Sequence, residues 1–289
     1  MQASFNDTLA RWTSRAMYAL CVAAAVSIIA FLVLITGYIL YRGADSLWNA
    51  RSVFFTENPI ANTADPDYPG GMRSAIEGTA IMVGMASLAG VPIGILAGIF
   101  LAEYDVGSRL AAPVRFFADV LSGVPSIVVG VLGYELLVVP VGRYNARAGA
   151  MALAFIMIPL VARTTEEMLR LVPGSYREAS IALGATKART ILRVVLPSVT
   201  GSIVTGIMLA VARIAGETAP LLFTALGARQ ITGLKEPFPS LTVQIYNYAT
   251  GPYAAEKSMA WAGILVLVLL VLVLNLLIRY ATRQARPAA

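Results

Sequence analysis

The amino-acid sequence predicts an all-α membrane protein with six transmembrane helices. Three observations carry this. Of the 289 residues, 58% are hydrophobic and only 13% charged, whereas a soluble domain is about one-quarter charged. Apolar runs long enough to cross a bilayer alternate with polar segments rich in Pro and Gly. Lysine and arginine gather on alternate connections, as they do on cytoplasmic loops. With the N-terminus inside, 13 of the 22 fall on inner segments, 8 on outer ones and one, Arg213, within a span.

Residues 1–16 are polar and read as a cytoplasmic segment. The first span, 17–41, is a 25-residue apolar run, about 37 Å as a helix. A cleaved signal peptide would have a shorter apolar core and a small-residue cleavage site, so this is read as a retained helix. A turn-rich loop follows, NPIANTADPDYPGG. The second span, 75–101, carries Gly90, Gly94 and Gly98, a doubled GxxxG whose flat face lets another helix approach closely; Pro92 is expected to kink it. The third, 120–139, opens with LSGVPSIVVG, and Pro125 should break or bend it because the residue before a proline avoids the helical region. The fourth, 148–163, is short, so its helix should run on through Arg163 and leave that arginine at or near membrane depth. The fifth, 199–226, is interrupted by RIAGETAP. The sixth, 260–279, is the most uniformly apolar, and a basic tail, 281–289, follows.

Composition excludes several chemistries. There is no histidine, so imidazole acid–base catalysis and histidine metal ligation are out. The single cysteine, Cys21, allows neither an intrachain disulfide nor a thiolate cluster. No G-x-x-x-x-G-K-[ST] occurs, so no P-loop binds ATP. No catalytic set and no metal site is expected. The net charge of +6 is read as loop asymmetry rather than affinity for nucleic acid. An intramembrane enzyme lacks both a Ser–His dyad and paired aspartates.

Between the fourth and fifth spans lies the longest charged stretch with helical character, SYREASIALGATKARTILRVVLP. Ser175 and Glu178 have capping-box spacing, and Gly184 sits where a C′ glycine would end that helix. A second short helix is expected from about Thr186 to Leu196, stopping before Pro197. The spacing EAS-x3-G-x9-V-x-LP resembles the EAA loop of membrane subunits of binding-protein-dependent ABC importers, with Ser180 and Val194 as conservative departures from the usual Ala and Ile. The resemblance extends over roughly residues 70–279. GILAGIFLAEY, LSGVPSIVVGVLGY, ARTTEEMLRLVPGSYREAS, ARIAGETAPLLFTALG and PFPSLTVQIYNYA look like the phosphate-specific branch of that family, its A-type permeases.

That likeness implies a type I importer permease of MetI-like architecture with a cytoplasmic coupling loop at 166–197. It places ATPase coupling on Glu178, Ala179, Leu183, Gly184 and Pro197. The implied partners are a homologous C-type permease forming a heterodimer, two copies of an ATP-binding subunit that hold the ATP and Mg, and an extracytoplasmic phosphate-binding protein. The implied location is the bacterial inner membrane with both termini cytoplasmic. Sulfate, phosphonate or molybdate are the alternative cargoes.

Arg213 and Glu217 are costly in mid-span and, four residues apart, share a helix face. Two readings stand: a self-neutralising structural pair, or a cation that meets a translocated anion while Glu217 orients it. Arg213, Glu217 and Thr218 match the RxxGET motif of the phosphate branch, and Arg163 the arginine of its RTTEE motif. Two arginines suit phosphate because the guanidinium fork pairs with its oxygens bidentately. Ser122, Ser126 and Thr218 offer hydroxyls, though in membrane helices these more often bond their own backbone.

Overall fold

The computed structural model describes residues 2–60, 68, 70–104 and 109–284. The centre of the first polar loop and residues 285–289 of the basic tail, Arg286 among them, lie outside these. Every extended element is helical; the only β feature among the described residues is one isolated bridge between Pro59 and Gly70.

Helix α1 runs from Gln2 to Ala50. The expected boundaries at 16/17 and 41/42 are absent, because neither flank contains a residue that stops a helix. The stop comes at Arg51, which takes a left-handed φ of 49°. Between Trp12 and Gly37 its side chains are exposed, and toward its C-terminal end Tyr38 stacks edge-on against Trp261 at 5.3 Å. Helix α2 (Arg73–Glu103) continues unbroken through Pro92.

The third expected span is two helices, α3 (Ala111–Gly123) and α4 (Ser126–Val141), bent by 105°. Val124 is extended and Pro125 occupies the N-cap of α4, the geometry that a residue preceding proline prefers. At about 20 and 24 Å, neither half spans the ~30 Å hydrocarbon core alone. Helix α5 (Ala146–Arg170) is longer than the 148–163 expected; the side chain of its N-cap, Asn145, accepts from the Ala148 N–H at 2.9 Å. Helix α6 (Gly174–Ala182) is followed by α7 (Lys187–Ala215), α8 (Ala219–Thr224), α9 (Leu241–Thr250) and α10 (Ala254–Gln284). Among the described residues, α1, α2, α5, α7 and α10 are long and apolar enough to cross a membrane, and the bent α3–α4 pair makes a possible sixth span.

The bundle is built around α5. Its buried face is rich in alanine (Ala146, Ala148, Ala150, Ala152, Ala154 and Ala162), with Gly149, Leu153, Met157 and Val161, and small side chains let α2, α4, α7 and α8 close in on it. With Met82, Ala86, Ala210, Ile214 and Leu221 these residues form the main core. Gly90, Gly94 and Gly98 lie against α5. A Cβ on Gly94 would stand 2.7 Å from the Val161 Cβ and 3.0 Å from the Ile158 carbonyl; one on Gly98, 2.6 Å from the Ala162 carbonyl. The glycine stripe therefore clamps two helices of the same chain together. A second, smaller core joins α9 and α10 to Phe54 and Met72.

Candidate functional site

Two regions carry the chemistry, one within the bundle and one at its end. The first is a cavity of about 200 Å³ lined by Leu121–Ser126, by Ile156 and Leu160 of α5, and by Arg213 and Glu217. It holds roughly seven waters at ~30 Å³ each, enough for a small anion with some of its hydration.

The backbone around it is irregular for reasons written in the sequence. Helix α7 ends at Ala215, where Gly216 and Glu217 close the last turn with short-range bonds to the Arg213 and Ile214 carbonyls, 3.1 and 3.2 Å. Pro220 lacks an N–H and cannot continue the ladder; α8 restarts beyond Thr218, whose carbonyl accepts from Leu221 and Leu222 at 3.1 Å. The Thr242 hydroxyl donates to the Glu217 carbonyl at 3.0 Å and pins the break. On the opposite wall, no side chain caps α4. Its first residue, Ser126, lines the cavity, at the positive end of the helix dipole.

Arg213 is the cavity's cation. Its side chain is 55% exposed and its ion-pair partner among the described residues, Glu217, is 4.0 Å away, too long for a hydrogen bond. The pair neutralises charge at a distance and leaves the guanidinium fork open to an anion. Ser122 and Ser126 both line this space, and the Ser122 hydroxyl is taken up by the Ala118 carbonyl at 2.8 Å.

The structure does not bring all the sequence candidates together. Thr218 is absent from the cavity lining and serves the start of α8. Arg163 lies one helical turn from Leu160, outside the lining, and is held by Asp119 of α3 and by Glu167 at 3.1 Å. The two arginines thus do not share one pocket.

The second region is the α6–α7 hairpin. The 166–197 stretch comprises the last turn of α5, all of α6 and the first turns of α7. The capping box is not formed. Helix α6 begins two residues earlier than the capping box implies, at Gly174, with Pro173 in the N-cap position, so Ser175 already lies in the first turn and makes no cap bond. At the other end Gly184 has φ of 83°, its N–H bonds the Ile181 carbonyl at 2.9 Å, and the Ala185 N–H bonds the Ser180 carbonyl at 3.2 Å. This is a Schellman closure with glycine at C′. The second short helix does not stop before Pro197. It runs into the membrane helix through a π turn at Ile191–Val195, which widens the turn ahead of Pro197, where the missing N–H would otherwise interrupt an α ladder.

Glu178, Ala179, Leu183 and Gly184 are exposed, with Leu183 at 90%, and Pro197 sits in the first turn of the α-helical part of α7. Tyr176 and Ile181 add apolar surface beside them. The Ser180 and Thr190 hydroxyls are 2.9 Å apart and tie the two legs. Replacing Gly184 with valine forces a β-branched residue into the left-handed region at about 1–2 kcal/mol. The coupling role implied by the EAA-loop resemblance predicts a bundle that inserts and melts normally while transport falls with the loss of hairpin shape, measured by copurification of the implied ATPase subunit and by substrate uptake.

Sequence reasoning missed the ion pairs at this end. Glu103, buried at the end of α2, receives Arg177; Glu166, also buried, receives Arg115 at 2.9 Å and Arg170 at 2.9 Å. Glu166–Arg170 has the i,i+4 spacing of a helical pair; for Glu103–Arg177 and Glu166–Arg115 only the charges themselves were a signal, because the partners are 74 and 51 residues apart.

A bundle of bilayer-length helices with a broken helix and an open-forked arginine lining a partly open cavity has the attributes of a membrane permease. Solved structures share the fold. The chain overlays with a chain of the inward-facing MetNI methionine ABC transporter at a TM-score of 0.63 (22% identity, 74% of this chain and 95% of that one). It also overlays with a chain of a bacterial alginate ABC transporter at 0.65 (15% identity, 92% and 94%). Residues 90–287 match the family described as binding-protein-dependent transport system inner membrane component. The chain is 45% identical over 239 residues to the phosphate transport system permease protein PstA of Yersinia pestis, covering 82% of this chain and 79% of that one. It is 38% identical over 243 residues to PstA 1 of Mycobacterium tuberculosis strain H37Rv, covering 82% and 78%. The chain belongs to the binding-protein-dependent transport inner-membrane family, in its branch of PstA permeases.

Proposed function

We propose that this chain is the transmembrane subunit through which an ATP-driven importer carries inorganic phosphate across the bacterial inner membrane by alternating access. The observation that carries the reading is the cavity lined by both Arg213, whose fork is not hydrogen-bonded to Glu217, and Ser126 at the start of α4. A tetrahedral oxyanion suits it: two oxygens on the fork, another toward the Ser126 end and the helix start. Glu217, 4.0 Å from Arg213, balances the cation between substrates. Arg163, one turn from Leu160 and paired with Asp119 and Glu167, is the next cation toward the hairpin end and serves the outgoing anion by exchanging carboxylate for phosphate.

The chain itself hydrolyses nothing. The exposed Tyr176, Ile181 and Leu183 surface docks in a cleft of a separate ATP-binding subunit, which holds the ATP and Mg. Two copies of that subunit serve this chain and a homologous C-type permease that completes the pathway. An extracytoplasmic binding protein delivers phosphate at the opposite end. The hairpin and both termini are then cytoplasmic, in keeping with the bias of lysine and arginine. The relatives' phosphate-transport names and the geometry of the fork both support phosphate over other oxyanions. In a strain without other phosphate transporters, labelled phosphate is expected to enter with sulfate in excess leaving the rate unchanged; competition by sulfate, or phosphate entry indifferent to deletion of the chain, contradicts the reading.

A further inference from the structure

The hairpin is joined to the bundle by two compliant covalent links. On one side the chain leaves α5 through Leu171 and Val172, whose N–H groups make only short-range bonds to Met168 and Leu169, and turns at Pro173–Gly174. On the other it enters the membrane helix through the π turn at Ile191–Val195, a geometry at which helices kink. Neither link has a regular α ladder, and the small apolar core between them, Leu169, Val172, Val195 and Ile203 against Ile99 and Ala102 of α2, is held by non-directional packing, which leaves room for a directional contact.

A non-covalent link bridges this gap. Arg177 of α6 reaches Glu103, the last residue of α2, with Nε at 3.1 Å from both carboxylate oxygens and an Nη at 2.5 Å from Oε1. The same guanidinium donates to the Val172 carbonyl at 2.8 Å and the Leu169 carbonyl at 3.0 Å, at the end of α5. The Glu103 side chain is 5% exposed. Its neighbour Tyr104 takes the other leg of the hairpin, with Lys187 Nζ 4.4 Å from the ring centroid. Two consecutive residues at the tip of α2 therefore hold both legs, which the Ser180–Thr190 contact keeps together. Behind them α2 is clamped along α5 by the Gly90, Gly94 and Gly98 stripe, and α5 walls the cavity through Ile156 and Leu160.

We infer that the buried Glu103–Arg177 pair is the joint that transmits hairpin movement to the α2–α5 unit and so to the cavity; the inference rests on reading the chain as an ATP-driven permease. Glu103 and Arg177 are positioning residues, touching neither the anion nor ATP. A bidentate pair with two further carbonyl contacts resists both shear and rotation, which a single contact does not. With it intact, displacement of α6 carries the end of α2 along. Without it, the Pro-Gly turn and the π turn absorb the displacement.

The test uses the whole transporter, reconstituted with its ATPase, companion permease and binding protein, and reads phosphate moved per ATP hydrolysed. Glu103→Gln and Arg177→Gln are expected to assemble and hydrolyse ATP at close to the wild-type rate while phosphate per ATP falls roughly tenfold, within the range of allosteric couplings. The double variant should be no worse than either single one, because the pair acts as a unit. Arg177→Lys, which keeps one charged contact, should recover part of the ratio. An unchanged ratio in the Gln variants overturns the inference, as does loss of ATPase binding in parallel with transport, which would assign the pair to maintaining the docking surface. A wild-type complex that does not couple ATP hydrolysis to phosphate uptake would contradict the functional reading instead.

Discussion

Arg213→Gln is expected to leave an assembled complex whose phosphate uptake is reduced roughly 10- to 100-fold, the loss of one or two charge-assisted hydrogen bonds to the anion. The cavity keeps its shape, because Arg213 packs loosely and its side chain is 55% exposed. Arg213→Lys retains the charge but not the fork and should keep intermediate flux. Glu217→Gln leaves the cation in place and should retain more activity than Arg213→Gln. The measurement is uptake in a strain without other phosphate transporters, with expression and ATPase association checked for each variant. The structural-pair reading makes the opposite forecast: equal loss of assembly in Arg213→Gln and Glu217→Gln, restored in the double variant. At 4.0 Å the pair is too loose for that degree of mutual dependence.

Gly94→Leu is expected to have the largest effect on the fold. A Cβ at this position already stands 2.7 Å from the Val161 Cβ and 3.0 Å from the Ile158 carbonyl, and Val161 is fully buried in the main core. Neither neighbour is the free end of a flexible chain. Overpacking a core costs about 1–3 kcal/mol, and because backbone is in the way the upper end applies. Lower yield of assembled complex and a depressed melting temperature in detergent are the expected results. Gly90→Ala is the mild control: its nearest atom is the Met157 sulfur at 3.1 Å, on a side chain that can turn aside. Unchanged melting of Gly94→Leu would mean that α2 and α5 are not in contact at this point.

Much of the architecture was legible because a bilayer imposes a length and a polarity on whatever crosses it. Six apolar runs announced an all-α membrane fold, and the EAA-like spacing announced the family. Hydropathy marks only the part of a helix that lies in lipid, so it could not show that α1 extends to 49 residues. That length follows from the absence of a helix-breaking residue before Arg51. The Val124–Pro125 break was readable from proline stereochemistry, but the 105° bend was not, because it is set by packing. On that side Gly130 lies 2.9 Å, as a would-be Cβ, from the Pro220 Cα. The Ser175 capping box failed because Pro173–Gly174 starts the helix two residues early. The π turn ahead of Pro197 has no signature in period or composition. At the site, the cost of Arg213 in mid-span pointed to function, while the convergence of Ser126 and the α4 start on it came only from the fold. Glu103 and Arg177 are 74 residues apart, and no local pattern pairs them.

The central claim is that phosphate passes through the cavity walled by Ser126 and Arg213. In the complete transporter with Cys21→Ser, the variant Ser126→Cys leaves one thiol in this chain, on the cavity wall. Its rate of modification by a small, negatively charged thiol reagent measures access to that wall. Phosphate, and not an equal concentration of sulfate, is expected to slow the labelling, and the protection should vanish when Arg213→Gln is added. A labelling rate that phosphate leaves unchanged, or protection that survives the loss of Arg213, would contradict the account.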